Sequence, residues 1–124
     1  MILVDTSVWI EHFRAGVPRL AYLLESQRVL MHPFIVGELA CGHLNNRRET
    51  LQLLSNLPGA AVASNAEVMI FIESNRLTGK GIGFVDAHLL AAVALAADAT
   101  LWTHDKRLRQ AAKRLGLEHE AIRK

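Results

Sequence analysis

Four carboxylates, Asp5, Glu38, Asp86 and Asp105, are set in apolar sequence and lie far apart along the chain. Asp5 follows the apolar run Ile2-Leu3-Val4, and Asp105 comes shortly after Thr100-Leu101-Trp102-Thr103, so both read as residues just past the carboxyl end of a buried strand. Glu38 and Asp86 fall inside helical patterns. At three-, four- and seven-residue spacing, Glu38 shares a face with Phe34, Ile35 and Cys41, and Asp86 shares one with Leu89, Leu90 and Val93. Both acids are therefore expected to point where the core points. An isolated ionised carboxylate is strongly disfavoured there unless a cation or several hydrogen bonds compensate it, and four of them suggest a shared ligand. A donor set made of oxygens, without a convergent Cys or His group, selects a hard ion, Mg²⁺ or Mn²⁺, over Zn²⁺. Such an ion supports displacement at a phosphodiester. The ordinary alternative is that Asp5 and Asp105 cap the helices after them while Glu38 and Asp86 find salt bridges, but capping does not account for two acids on apolar helix faces.

The elements that must position these acids are short. Strand signals cover Ile2 to Val4, Val29 to Met31, Ala61 to Ala63 and Thr100 to Thr103, with a last one around Glu118 to Ala121. Helical patterns fill the spaces. One is capped by Thr6 or Ser7 and runs through Phe13; Pro18 opens a second through Ser26, and Pro33 a third through His43. Arg47 to Leu57, an Asn65-capped stretch through Leu77, Phe84 to Ala97 and Lys106 to Leu115 complete the set. Short apolar strands alternating with helices indicate a mainly parallel sheet of four or five strands covered on both faces, a three-layer α/β/α sandwich. In such sheets ligands bind beyond the carboxyl ends of the strands, where Asp5 and Asp105 are expected.

Composition narrows the class. The chain has 124 residues, 51% of them apolar, which suits one domain over residues 1–124 with a core that needs no disulfide. The single Cys41 cannot form an internal disulfide, and no secretory leader pattern opens the chain, so a cytoplasmic protein is expected. Phe84 to Ala97 is too short and too interrupted by Asp86 and His88 to span a bilayer. Net charge is +2, but setting the four acids aside leaves eight acidic residues against 14 basic ones. An acidic pit in a basic surface suits a phosphate-bearing polymer, with Lys80 near Asp86 and Lys106, Arg107 and Arg109 beside Asp105 as candidate contacts.

Other groups read more plainly. The six histidines include no pair at the three- or four-residue spacing of a zinc enzyme, although His88 and His104 lie beside acids. Cys41 near His43 reads as a small buried residue rather than a nucleophile. Gly79-Lys80-Gly81-Ile82-Gly83 lacks the Lys-Ser or Lys-Thr ending of a phosphate loop and reads as a flexible loop. Trp9, Phe13, Tyr22 and Leu23 read either as core or as an exposed apolar groove for a partner helix.

On Val4-Asp5-Thr6-Ser7-Val8-Trp9-Ile10, Gly37-Glu38-Leu39, Val85-Asp86-Ala87-His88 and Leu101-Trp102-Thr103-His104-Asp105, the chain resembles PIN-domain ribonucleases, and among them the VapC-type toxins of toxin–antitoxin pairs. The resemblance spans essentially the whole chain. It implies a PIN-like sandwich, Mg²⁺ or Mn²⁺ held by Asp5, Glu38, Asp86 and Asp105, and endonucleolytic cleavage of RNA. It further implies that Thr6, Ser7 and Thr103 orient ligands or water beside the acids. Toxins of this type dimerise and are silenced by a cognate antitoxin, whose tail occupies the groove by the amino-terminal helices and whose other end binds operator DNA. His104 departs from the usual pattern, since many relatives carry another polar residue beside the fourth acid. Two other readings compete. A receiver domain needs a phosphoacceptor at the end of its middle strand, and Ala61-Val62-Ala63-Ser64 supplies none. A non-catalytic module that binds RNA or a partner through the same fold needs no acids, yet all four are present.

Overall fold

In the computed structural model, which describes residues 1–120, three parallel strands carry the frame: β1 (Ile2–Val4), β2 (Val29–Leu30) and β3 (Thr100–Trp102), in the order β2-β1-β3. Seven helices among the described residues surround them: α1 (Thr6–Ala15), α2 (Pro18–Glu25), α3 (Pro33–Ala40), α4 (Arg47–Ser55), α5 (Asn65–Ser74), α6 (Phe84–Leu95) and α7 (Lys106–Arg114). Consecutive residues of β1 point to opposite faces of the sheet, and Ile2, Leu3 and Val4 are all buried. Both faces are therefore covered, which is why this strand is continuously apolar instead of alternating.

The register places Val4 beside Trp102, and the Asp5 amide continues the ladder by donating to the Trp102 carbonyl at 2.8 Å. The chain leaves β1 toward β2 on one side and returns to β3 on the other. The carboxyl ends of β1 and β3 thus flank the topological switch point of the sheet, where crossovers diverge and open a crevice.

The sheet is narrower than the four or five strands expected. Residues 61–63 form no strand, and Val62 is exposed. Each flank is extended only by a single bridge, Met31 to Gly59 and Leu101 to Glu118. At the first, Pro58 lacks the amide that a longer ladder would need. Of the last expected strand, Ala121 lies outside the described residues. Helices also end earlier than the patterns suggest: α3 stops at Ala40 and α4 at Ser55. Helix α5 is capped by Ser64, whose hydroxyl accepts from the Glu67 amide at 3.1 Å while the Glu67 carboxylate accepts from the Ser64 amide at 2.7 Å. Asn65, expected as the cap, instead meets the His88 ring at 2.9 Å.

Helix α6 is buried from Ala87 to Val93 and packs on α5 and β3, so its first turn, with Asp86, is held against the sheet. The His88 ring lies edge-on between Phe34 and Phe84, with centroids 4.7 Å from each. Cys41, expected to be buried, is exposed at the end of α3. No helix among the described residues is long and apolar enough to cross a membrane.

Leu3 is fully buried in the central strand, so Leu3→Ala should cost about 2–5 kcal/mol. Leu53, 70% exposed on α4, should tolerate the same change within about 0.5 kcal/mol. Urea unfolding of the two variants checks the contrast.

Candidate active site

Asp5 is the one acid of the four that is buried, and two hydroxyls meet it. Thr103 Oγ1 donates to Asp5 Oδ2 at 2.7 Å and Ser7 Oγ donates to the same oxygen at 3.0 Å. Their burial and positions follow from the strand ends, because Thr103 sits one residue past β3 and Ser7 in the first turn of α1. The network continues to the fourth acid. Thr103 Oγ1 accepts from the Asp105 amide at 3.0 Å, and Ser7 Oγ accepts from the His104 amide at 3.0 Å.

The other three acids are less enclosed than an apolar helix face implies. Glu38 and Asp105 are exposed and Asp86 is half-buried, so none of the three is fully enclosed by the core. Each is steadied locally. Thr6 Oγ1 donates to Glu38 Oε1 at 2.6 Å, joining α1 to α3. The Gly83 amide donates to Asp86 Oδ2 at 3.0 Å. The Leu108 amide donates to Asp105 Oδ1 at 2.9 Å, so Asp105 caps α7.

A common feature emerges from these contacts. Each carboxylate is pinned through one oxygen, while no hydrogen bond among the described residues reaches Asp5 Oδ1, Glu38 Oε2, Asp86 Oδ1 or Asp105 Oδ2. The four also share one field. Burial raises the Asp86 pKa above its ordinary value against the opposing pull of the Gly83 amide, and the negative charges of Asp5, Asp105 and Glu38 raise it further. Among the described residues no group of three or more Asp, Glu, His or Cys side chains stands close enough to hold a metal ion. The two observations are compatible, because like charges are felt over distances longer than a coordination bond. An all-oxygen set with one free oxygen per acid is chemically suited to Mg²⁺ or Mn²⁺.

His104, the residue that departs from the pattern, turns away from the acids and pairs through Nε2 with Glu11 Oε1 at 2.7 Å. The expected basic contacts do not form one patch. Lys80 and Arg107 line a small cavity together, whereas Arg109 lines another with Trp102, His104 and His119, and Lys106 lines neither.

The aromatic quartet also divides. Trp9 and Leu23 are core residues, 2% and 0% exposed, because they face the sheet from α1 and α2, so they cannot line a surface groove. Phe13 and Tyr22 are exposed. Phe13 lines a mainly apolar cavity of about 510 Å³ between α1, α3 and the segment leading to α4, together with Ile10, Arg14, Leu39, Leu44 and Glu38. Ile10, Arg14 and Leu44 were not singled out from sequence. The signal was available for two of them, since Thr6, Ile10, Phe13 and Arg14 fall on one face of a helix whose first turn touches Glu38.

Residues 2–114 match the PIN domain, and the chain belongs to that family. Over 117 residues, 94% of each chain, it is 48% identical to Ribonuclease VapC32 of Mycobacterium tuberculosis, in both the CDC 1551 / Oshkosh and H37Rv strains. Its fold is similar to the crystal structure of PAE2754 from Pyrobaculum aerophilum, with a TM-score of 0.63 at 18% identity over 90% of this chain and 84% of the other.

The raised Asp86 pKa fixes a direction for pH dependence. The folded state resists ionisation of this carboxyl, so its contribution to stability is greatest below the unfolded value of 3.8 and is lost as pH rises through the higher folded value. Asp86→Asn should therefore raise the melting temperature of metal-free protein at neutral pH, with the gain shrinking to nothing as pH falls below the carboxylate range. Thermal melts in a chelator across that range measure it.

Proposed function

We propose that this protein is a Mg²⁺- or Mn²⁺-dependent endoribonuclease, acting in the cytoplasm as the toxin of a toxin–antitoxin pair. The observation that carries this reading is Asp86, which feels the charges of Asp5, Asp105 and Glu38, together with the one unbonded oxygen on each of the four carboxylates. Family membership and the name of the VapC32 relative agree with it.

Asp5, Glu38, Asp86 and Asp105 are the residues that would hold the ion. When bound, it supplies positive charge that acidifies water and stabilises the oxygens of a phosphodiester undergoing displacement. The chain's own part is orientation. Thr103 and Ser7 fix the Asp5 carboxylate through one oxygen, Thr6 fixes Glu38, and the Gly83 and Leu108 amides fix Asp86 and Asp105. Lys80, Lys106, Arg107 and Arg109 supply phosphate contacts on the rim. None of the described lysines or arginines is paired with a carboxylate, so the rim charge is available to RNA.

The apolar cavity beside Glu38 supports the partner half of the reading. A cognate antitoxin would seat an apolar segment against Phe13, Ile10, Leu39 and Leu44 and thereby cover the crevice. The antitoxin would also carry any contact with operator DNA. Exposed Met69 and Ile70 on α5 offer a separate apolar surface consistent with a homodimer. The alternative, a non-catalytic module that only binds RNA or a partner, leaves the four free carboxylate oxygens without a task.

Purified protein should cleave RNA with Mn²⁺ or Mg²⁺ and lose that activity in chelator, and either ion should raise its melting temperature. Asp86→Asn should abolish cleavage and the ion-dependent melting shift while remaining folded. Undiminished cleavage by that variant overturns the site. Thr103→Val, which removes the hydroxyl that donates to Asp5 and accepts from the Asp105 amide, should weaken ion affinity about 10–100-fold, read by Mn²⁺ titration. In the partner's case, Phe13→Glu should weaken co-purification with the product of an adjacent small gene, and an unchanged complex counts against this groove.

A further inference from the structure

Helix α7 carries basic residues on two faces with different surroundings. Arg107, Gln110, Ala111 and Arg114 form one stripe at helical spacing, and with Lys80 they line a cavity of about 200 Å³. Three of its five lining residues are cationic and none is acidic. No carboxylate among the described residues lies within salt-bridge distance of Lys80, Arg107 or Arg114. Like charges gathered without a counter-ion destabilise one another, so the arrangement favours an anion.

The loop under this cavity is shaped for it. Gly81 has φ of +78°, and a Cβ placed there would collide with the Arg107 side chain. Glycine therefore lets the guanidinium lie across the loop next to Lys80. The third cation is held from below, since Arg114 donates to the Asn75 carbonyl at 2.7 Å and more weakly to that of Arg76 at 3.5 Å. Those bonds anchor its guanidinium at the end of α5 and leave its charge unneutralised.

The position relates the cavity to the acids. Lys80 lies three residues before Gly83, whose amide holds Asp86, and Arg107 lies two residues after Asp105. The two elements that present the third and fourth acids thus also present the cations. We infer that Lys80, Arg107 and Arg114, arranged over Gly81, form a cradle for a phosphate of the single-stranded RNA substrate other than the one that is cleaved. This rests on the ribonuclease reading above, and adds to it Arg114, the positioning role of Gly81 and the separation of these residues from Lys106 and Arg109.

The test uses the chain with its acids intact, in chelator so that RNA is bound but not cut. Binding of a fluorescent single-stranded oligoribonucleotide is followed against salt, and inorganic phosphate is titrated separately while the Gly81 amide is followed by NMR. The double variant Lys80→Gln with Arg107→Gln should lower the slope of log affinity against log salt by about 0.7, the loss of one phosphate contact. Gly81→Ala should weaken RNA binding several-fold with no change in net charge, a result that a merely diffuse basic surface does not give. Phosphate should shift the Gly81 amide. If Gly81→Ala fails to fold, by circular dichroism, the double variant still decides, because it alters no backbone conformation. RNA binding with an unchanged slope in the double variant, together with a Gly81 amide indifferent to phosphate, overturns the cradle and leaves the ribonuclease reading standing. A Gly81 amide that responds to phosphate in a chain that binds no RNA overturns the RNA assignment and leaves a free phosphate as the occupant.

Discussion

The hydroxyl of Thr103 stands between two strand ends, donating to Asp5 and accepting from the amide of Asp105. Through this one oxygen the end of β1, the end of β3 and the start of α7 are set relative to one another. Ser7 repeats the arrangement from α1, donating to Asp5 while accepting from the His104 amide. Two acids separated by about a hundred residues are thereby held on neighbouring strands, and the cost of burying Asp5 is offset by charge-assisted bonds. Without this network the Asp5 carboxylate would lose both of its hydrogen bonds.

Repulsion is the counterpart of that constraint. Asp86 feels Asp5, Asp105 and Glu38, and it is held in place by the Gly83 amide against their combined effect. Asp86 is consequently biased toward either a proton or a nearby cation. The same logic extends outward. Acidic groups are concentrated in the crevice, and the lysines and arginines around it have no carboxylate partners among the described residues.

The two sides of the crevice differ in kind. Toward α1 and α3 the wall beside Glu38 is largely apolar, with Phe13, Ile10, Leu39 and Leu44. A separate small cavity between the loop before α6 and the face of α7 that carries Arg107 is cationic, and its Lys80 and Arg107 lie near Asp86 and Asp105 in sequence. On the proposed reading, an apolar protein segment and a polyanionic strand approach the same acids from different sides, so inhibition and substrate binding draw on separate contacts. Arg109 faces neither wall but a third, mixed hollow with His104, His119 and Glu118.

The strand-end positions of Asp5 and Asp105 could be read from sequence because β1 and β3 are continuous apolar runs, and such runs end where the first polar residue reaches the sheet edge. Helix starts were legible where local chemistry decides them, as at Pro18 and Pro33, and Ser64 with Glu67 carried a capping signature that was passed over for Asn65. Exposure was not legible. Trp9 and Phe13 are four apart on the same helix, yet one is buried and the other open, because burial depends on which neighbouring element covers each turn. Glu38 shares its face with apolar residues but lies at the crevice, and only the placement of α1 beside α3 brings Thr6 to it. Among the described residues, one bridge on each flank stands where a fourth and a fifth strand were expected. Residue type and spacing thus determined which groups carry charge and which elements hold them. Whether those charges meet, and what lies opposite them, follows from long-range packing, which no local pattern encodes.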